Sequence, residues 1–365
     1  MKESVTIIAE AGVNHNGHPE LAMRLVDAAA AAGADAVKFQ TFRAGELVSR
    51  HARKAAYQQA ATDPQESQLA MIQRLELDQN SHAMLADHCR ARGITFLSTP
   101  FDLPSLALLT DEMNLPLLKI PSGEVTNGPF LVRVGATGKK IILSTGMATL
   151  GEIETALGAL AFGMLGPTDP PSLAGCAAAF TSPEGQALLL ERVTLLHCTT
   201  EYPAPLDQVN LRAMDAMAAA FGLPVGYSDH TTGIAVPIAA VARGAVVIEK
   251  HFTLDRSLPG PDHRASLEPD ELAAMVRAIR AVETALRGHG RKLPMATEQK
   301  NREVARKSLV AIAPIARGEP FSEGNLGIKR PGSGISPMEY WQWLGRTASR
   351  AYQPDEPIVA EGEAS

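Results

Sequence analysis

Two segments in the second half of the chain place histidines at a spacing suited to metal binding. In VGYSDHT, Ser228 and His230 are two residues apart, and in VVIEKHF the same spacing separates Glu249 from His251. Side chains two residues apart in a strand face the same side, so on neighbouring strands both imidazoles can converge on one ion. Two imidazoles without a third obvious protein ligand favour manganese over structural zinc. Two hydrogen-bonded histidines at strand ends are the alternative interpretation.

A second group of polar side chains, on earlier apolar runs, can hold an anion. It combines two lysines with several hydroxyl groups: Lys38, Thr99, Lys119, Ser122 and Ser144. Two ammonium groups with hydroxyls and backbone amides can cradle a small molecule that carries phosphate and carboxylate. A lysine at a strand end could instead form a Schiff base with a carbonyl substrate. A solvated rim is the third interpretation.

Carboxylate and amide groups end neighbouring runs at Glu10, Gln40 and Glu124. A carboxylate near a metal can move protons or orient an attacking water. Either glutamate could instead be the structural partner of a lysine, and the sequence leaves both roles open.

Eight short apolar runs carry these residues, and amphipathic segments separate them. Residues 19–33, for example, have apolar positions at helical spacing and a final glycine. The repeat of strand, helix and turn over residues 6–252, with a last helix at 269–286, predicts an α/β fold. We expect a (β/α)8 TIM barrel over residues 1–287, in which catalytic groups sit at the carboxyl ends of the strands.

Two segments depart from this pattern. Residues 163–186, rich in proline, glycine and alanine, predict an insertion between the fifth and sixth strands, either a lid or a tolerated surface excursion. A polar linker, 288–305, then leads to a small, mainly β domain at 306–365. A domain of about 60 residues needs support from a neighbouring surface, which predicts a dimer.

The composition argues against several classes of partner. A net charge of −6 with dispersed lysine and arginine disfavours nucleic acid and anionic membrane surfaces. No charged leader opens the chain, and no apolar run approaches the ~18 residues that a membrane helix needs. The three cysteines form no pattern of pairs, so we expect a cytoplasmic protein in which Cys198 is buried and inert.

The motifs, in this order, resemble those of the sialic acid synthases, a family that includes the N,N'-diacetyllegionaminate synthases. The matching segments are AEAGVNHNG, VKFQTF, STPFD, KIPSGE, ILSTGM, LLHCTTEYPAP, GYSDHT and EKHFTLDRSLPGPDH. SLVA and IKRPGSGI resemble the antifreeze-like SAF domain of that family. The resemblance spans the chain except for the insertion and the extreme C-terminus.

The resemblance implies that phosphoenolpyruvate condenses with the open-chain aldehyde of an N-acyl mannosamine-type sugar, giving a nine-carbon 2-keto acid and phosphate. His230 and His251 match the ligands of Mn²⁺, with Mg²⁺ or Co²⁺ as alternatives. The positions that match phosphoenolpyruvate-binding residues are Lys38, Thr99, Lys119, Ser122 and Ser228.

The resemblance also assigns roles to the remaining positions. Glu10 matches the acid and base, and Asp262 matches a sugar-binding aspartate. Arg330 matches an arginine that one subunit inserts into the barrel of the other, which implies a domain-swapped homodimer. The other positions that match lining residues are Gln40, Glu124 and Tyr202.

Thr200 marks a departure from the family pattern. Sialic acid synthases often read HCTN here, whereas this chain reads HCTTEYPAP. That spelling resembles the branch that uses 2,4-diacetamido-2,4,6-trideoxymannose, so we favour this sugar over N-acetylmannosamine. An aldol synthase acting on a phosphorylated sugar is one alternative, but it should need a second basic cluster. A non-catalytic carbohydrate-binding protein is the other, although it has little need for a metal beside a phosphate cradle.

Overall fold

The computed structural model describes residues 4–55, 58–59, 62–63 and 65–360. The described chain falls into two compact units that divide between Arg287 and Gly288. No helix in these ranges is long and apolar enough to cross a membrane.

The first unit contains eight parallel strands in the order β3-β2-β1-β8-β7-β6-β5-β4. β3 and β4, at the two ends of this order, also lie in contact, so the sheet curls into a nearly closed barrel. The predicted (β/α)8 architecture is therefore confirmed. The strands are β1 (Thr6–Gly12), β2 (Ala36–Thr41), β3 (Thr95–Pro100), β4 (Leu117–Ile120), β5 (Lys140–Ser144), β6 (Val193–His197), β7 (Val225–Asp229) and β8 (Val247–His251).

Helices surround the barrel and bury its outer face. The first begins with a proline at its N-terminus and ends at Gly33, whose φ of +81° is the left-handed conformation that favours glycine. The helices are α1 (Pro19–Ala32), α2 (Ala44–Leu47), α3 (Gln68–Gln73), α4 (Gln79–Arg92), α5 (Leu103–Ala107), α6 (Gly128–Ala136), α7 (Leu150–Leu165), α8 (Leu173–Thr181), α9 (Pro183–Arg192), α10 (Ala213–Phe221), α11 (Ala235–Ala242) and α12 (Pro269–Ala285).

The insertion predicted at 163–186 is largely helical. It contains the end of α7, all of α8 and the start of α9, and α8 packs against α7. A Cβ at Gly158 of α7 would lie 2.8 Å from the carbonyl oxygen of Cys176, so the glycine permits this close approach. The segment therefore adds a helix to the outer layer of the barrel.

The second unit has its own small core around a two-stranded antiparallel sheet, β9 (Ser308–Ala311) and β10 (Leu326–Lys329). Phe321 packs its ring against those of Trp343 and Tyr352 in this core. Part of the predicted linker is helical, because α13 (Gln299–Ala305) lies in this unit. A last short helix is α14 (Tyr340–Trp343).

Candidate active site

The interior of the barrel is filled by one apolar layer, to which seven of the eight strands contribute. Residues two positions apart in a strand face the same side, so the residue two positions after each member of this layer also points into the barrel. The apolar layer consists of Ile8, Ala36, Leu97, Leu117, Ile142, Leu196 and Val247. The strand β7 contributes Gly226, where a Cβ would lie 2.6 Å from Leu196 Cδ2. A side chain at this position would not fit beneath the next layer.

The next layer along the strands is polar, and we call it the polar floor. It forms the base of a cavity of about 250 Å³ at the carboxyl ends of the strands. This is the end at which TIM barrels carry their active sites. The polar floor consists of Glu10, Lys38, Thr99, Lys119, Ser144, Cys198, Ser228 and Glu249.

Two lysines and two glutamates form a buried charged cluster in the polar floor. Lys38 Nζ lies 2.6 Å from Glu10 Oε2 and 3.7 Å from Glu249 Oε2. Lys119 Nζ lies 3.2 Å from Glu249 Oε1, so Glu249 joins the two lysines. Lys38 also donates a hydrogen bond of 2.9 Å to Thr99 Oγ1. These contacts hold both ammonium groups at the base of the cavity.

The acid-base properties of the two glutamates differ because their lysine partners differ. Burial raises the pKa of Glu10 to about 7, against the attraction of Lys38. Burial also opposes ionisation of Glu249, but Lys119 and Lys38 together lower its pKa to about 2. Glu249 is thus a fixed anion, whereas Glu10 can gain or lose a proton near neutral pH.

The two predicted histidine ligands lie close together above the polar floor. The ring centroids of His230 and His251 are 5.7 Å apart, and the ring of Tyr202 lies 4.1 Å from that of His230. His230 Nδ1 lies 2.6 Å from the carbonyl oxygen of Thr199, to which it can only donate. Its Nε2, 3.4 Å from Ser228 Oγ, then carries the lone pair.

These histidines have the properties of metal ligands. Burial lowers the pKa of His230, and burial lowers the pKa of His251 well below its usual value, so both rings are neutral. His251 Nδ1 is buried without a hydrogen-bond partner among the described residues. The carbonyl of Thr199 orients the ring of His230 in the way that outer partners orient ligating histidines.

The described residues contain no cluster of three or more histidine, cysteine, aspartate or glutamate side chains arranged around one point. The paired imidazoles therefore fit an ion that takes most of its ligands from solvent or substrate. They do not fit a closed four-ligand zinc site.

Most of the predicted site residues line the cavity. Asp262, on the segment after β8, lines it with a buried carboxyl group whose pKa burial raises to about 6. The predicted residues that line the cavity are Glu10, Lys38, Gln40, Thr99, Lys119, Ser122, Ser144, Tyr202, Ser228, His230, His251 and Asp262.

Three predicted residues do not line this cavity. Glu124 accepts a hydrogen bond of 2.6 Å from Asn127 Nδ2. Thr200 lies beside Gly146, where an added Cβ would meet its Oγ1 at 2.3 Å. Arg330 belongs to the second unit, where it is exposed after the end of β10.

Sequence reasoning missed two features of the site. Spacing along the strand presents Glu249 only as the neighbour of His251, whereas in the structure Glu249 also contacts both lysines. The second feature is an apolar wall, which consists of Val13, Phe42, Leu47, Ile72, Leu75 and Phe101. Its sequence signal is that Val13, Phe42 and Phe101 each follow directly on the last residue of a barrel strand.

No residue of the predicted insertion, 163–186, lines the cavity. Of its two interpretations, the geometry favours the surface excursion over the lid. Helix α8 packs on the outer helices instead.

Comparison with known proteins shows the family to which this chain is similar in sequence and structure. The sequence profile of the NeuB family matches residues 25–292, and that of the SAF domain matches residues 306–362. The crystal structure of N-acetylneuraminic acid (sialic acid) synthetase from Leptospira borgpetersenii, in complex with citrate, superposes with a TM-score of 0.66 at 34% identity. That match covers 82% of this chain and 90% of the other.

Two curated relatives are more similar in sequence. The N,N'-diacetyllegionaminic acid synthase of Campylobacter jejuni is 51% identical over 98% of this chain and 99% of that protein. The enzyme of the same name from Legionella pneumophila is 43% identical over 94% of this chain and 90% of its own length. The chain therefore belongs to the NeuB family, as a parallel barrel followed by a SAF domain.

Proposed function

We propose that this protein is a transferase that condenses phosphoenolpyruvate with an open-chain N-acyl amino sugar to give a nine-carbon 2-keto acid and phosphate. The observation that carries the proposal is the arrangement of the cavity. Two buried lysines lie in its floor, and two neutral histidines lie beside them. Membership in a family whose members include synthases of such acids supports the same reaction.

The charged cluster suits the binding of a small polyanion. Lys38 and Lys119 balance Glu10 and Glu249 when all four side chains are ionised, so the empty floor carries little net charge. Protonation of Glu10 leaves one excess positive charge there. Ser144 also lines the cavity, where its hydroxyl group can contact a ligand oxygen. Lysine and hydroxyl groups together are suited to phosphate and carboxylate.

His230 and His251 would hold a divalent cation, which we propose is Mn²⁺, with Mg²⁺ or Co²⁺ as substitutes. The ion would polarise the aldehyde carbonyl of the sugar. Tyr202 packs against His230 and supports the orientation of its ring.

The reaction forms one carbon–carbon bond and releases phosphate. The methylene carbon of phosphoenolpyruvate bonds to the aldehyde carbon, whose oxygen takes a proton. Water adds to the carbon that bears the phosphate, and departure of phosphate leaves the ketone. We assign the proton transfer to Glu10, because a pKa of about 7 lets it act as acid and base. Lys38 and Lys119 position the reactants without a covalent bond.

The sugar that we propose is 2,4-diacetamido-2,4,6-trideoxymannose, with N-acetylmannosamine as the second choice. The 51% identity to the Campylobacter jejuni enzyme over nearly the full length supports this choice. Among the described residues, the only lysine or arginine side chains that line the cavity are Lys38 and Lys119. A phosphorylated sugar would require a second basic cluster for its phosphate, which the described residues of one subunit do not supply. The three free cysteines support a reducing, cytoplasmic location.

The proposal is tested by incubating the protein with phosphoenolpyruvate, Mn²⁺ and either sugar. We expect phosphate release that requires the sugar, together with a product whose mass equals that of the sugar plus pyruvate. Reactions that lack the sugar or contain a chelator are the controls. Absence of sugar-dependent phosphate release with every sugar aldehyde offered, in protein shown to be folded, would contradict the proposal.

A further inference from the structure

The apolar wall gives the cavity two chemically different sides. Val13, Phe42 and Phe101 follow β1, β2 and β3, and the rings of Phe42 and Phe101 meet edge to face with centroids 6.2 Å apart. Helix α3 and the residues after it add Ile72 and Leu75. The wall thus stands above three neighbouring strands, whereas the histidines stand above β7 and β8.

These side chains also form a small hydrophobic cluster separate from the main core. Val13, Phe42 and Leu75 are its buried members, and Leu47, Ile72 and Phe101 are half-buried. All six nevertheless contribute surface to the cavity. The wall therefore presents apolar surface to a cavity with a charged floor, and a ligand in the cavity can cover that surface.

The wall discriminates between hydroxyl and methyl groups. A sugar hydroxyl placed against these six side chains would lose hydrogen bonds to water, because none of the six carries a donor or an acceptor. A methyl group placed against it would gain from burial. The reacting end of the sugar, its aldehyde, must lie at the polar floor and the histidines. The opposite end of the sugar is the part that can reach the wall.

We propose that the apolar wall is the subsite for the methyl-bearing end of the sugar and that it selects the 6-deoxy, 4-acetamido sugar over one with free hydroxyls. This inference rests on the proposed function and adds the residues that determine its substrate class. The size of the effect follows from the chemistry. An apolar pocket rejects a ligand with an added hydroxyl by only about 10- to 100-fold, so we expect a preference of that order for the trideoxy sugar.

The test compares kcat/KM for 2,4-diacetamido-2,4,6-trideoxymannose with kcat/KM for N-acetylmannosamine. In Leu75→Asn, which places an amide in the wall with the same number and branching of side-chain heavy atoms, we expect the ratio to fall by about tenfold or more, chiefly through a higher KM for the trideoxy sugar. The KM for phosphoenolpyruvate should stay unchanged, because Leu75 belongs to the apolar wall and is not one of the polar floor residues.

The matched control is Leu77→Asn. Leu77 is 8% exposed against 7% for Leu75, but it packs in the main core and does not line the cavity. Its substitution should lower thermal stability and leave the ratio unchanged. If Leu75→Asn does not fold, Ile72→Thr at a half-buried position of α3 decides the matter, with the same expected fall in the ratio.

Two failures can be told apart. Turnover of neither sugar by the wild-type protein would overturn the proposed function and this subsite with it. Turnover of both sugars with nearly equal kcat/KM would overturn the subsite alone. An unchanged ratio of kcat/KM for the two sugars in folded Leu75→Asn or Ile72→Thr would also overturn the subsite, because the wall would then serve only to pack the loops.

Discussion

Buried charges in the polar floor are arranged around one carboxylate. Glu249 accepts a hydrogen bond of 2.8 Å from Ser228 and contacts both Lys38 and Lys119. Burial of isolated ions is costly, and removal of one partner leaves the other uncompensated. We therefore expect the cluster to stay together without substrate and to exchange some of its internal contacts for substrate contacts on binding.

Replacement of Lys119 by methionine tests the role of this cluster in anion binding. Burial lowers the pKa of Lys119, yet the contact with Glu249 keeps its ammonium group in the floor. We expect Lys119→Met to lower kcat/KM for phosphoenolpyruvate by roughly 100-fold, because a charge-assisted contact to the substrate is lost in a buried site. Steady-state kinetics with varied phosphoenolpyruvate measure the change.

The control is Lys140→Met, at an exposed lysine that opens β5 at the opposite end of the barrel. Its kinetics should match those of the wild type. A Lys119→Met protein with normal kcat/KM for phosphoenolpyruvate would show that the lysine serves only to neutralise Glu249.

For individual residues, the sequence predicts which side chains share a strand face, because alternation along one strand determines this. The spacing of Ser228 to His230 and of Glu249 to His251 gives the shared face, and the structure brings these four side chains to one place. Contacts across the barrel, such as that of Glu249 with Lys119, depend on strand tilt and stagger. Spacing within one segment does not contain this information.

At the element scale, the segment after β1 is fixed by the segment after β8. Asn14 Nδ2 donates to the carbonyl oxygen of Phe252 and to Ser266 Oγ, and Asn16 Nδ2 donates to the carbonyl oxygen of Pro259. Between the two asparagines, His15 is buried and accepts a hydrogen bond from the backbone N–H of Gly17. The two loops that border the cavity on this side thus support one another.

Acid should weaken this segment through His15. Burial lowers the pKa of His15 to about 3, whereas the unfolded chain has the ordinary value of 6.5. The unfolded state therefore binds the proton first as pH falls. The stabilisation is fully present above pH 6.5 and declines through the window from 6.5 to about 3. The free energy of unfolding should fall by about 1.4 kcal/mol per pH unit within it from this group alone.

The measurement compares urea unfolding of the wild type and His15→Gln at several pH values between 7 and 5. Glutamine keeps an acceptor for the Gly17 N–H but does not titrate, so the stability difference between the two proteins should shrink as pH falls. All other titrating groups are common to both proteins. Parallel stability curves would show that His15 does not couple folding to pH.

Helices with regular apolar spacing could be predicted from the sequence. Helices without such spacing could not. Helix α1 occupies Pro19–Ala32, as its apolar spacing indicates. The segment rich in proline, glycine and alanine after α7 lacked such spacing, yet it forms α8 and α9. Its signals were the capping serines, since Ser172 and Ser182 each accept a hydrogen bond from the backbone N–H three residues later. Packing of α8 against α7 is a tertiary effect that propensity does not reveal.

At the scale of the whole molecule, the cavity and the SAF domain belong to different compact units. Every described residue that lines the cavity lies before residue 288, whereas Arg330 lies in the second unit and is exposed. A small domain buries only a small fraction of its surface on folding, so association with a larger surface can stabilise it. We propose that it associates with the barrel of a second copy and places Arg330 there, in a domain-swapped homodimer.

A hybrid dimer tests this arrangement. One subunit carries Arg330→Ala with an intact barrel, and the other carries Lys119→Met with an intact arginine. Each homodimer should be nearly inactive. In a swapped hybrid, the intact barrel receives the intact arginine, so one of the two sites is complete and about half of the wild-type activity returns. Differential tags on the two subunits allow the hybrid to be purified, and native mass spectrometry verifies its composition. If each arginine acted within its own subunit, neither site of the hybrid would be complete. A verified hybrid that is inactive therefore contradicts the swap. A protein that is monomeric at the assay concentration contradicts it as well.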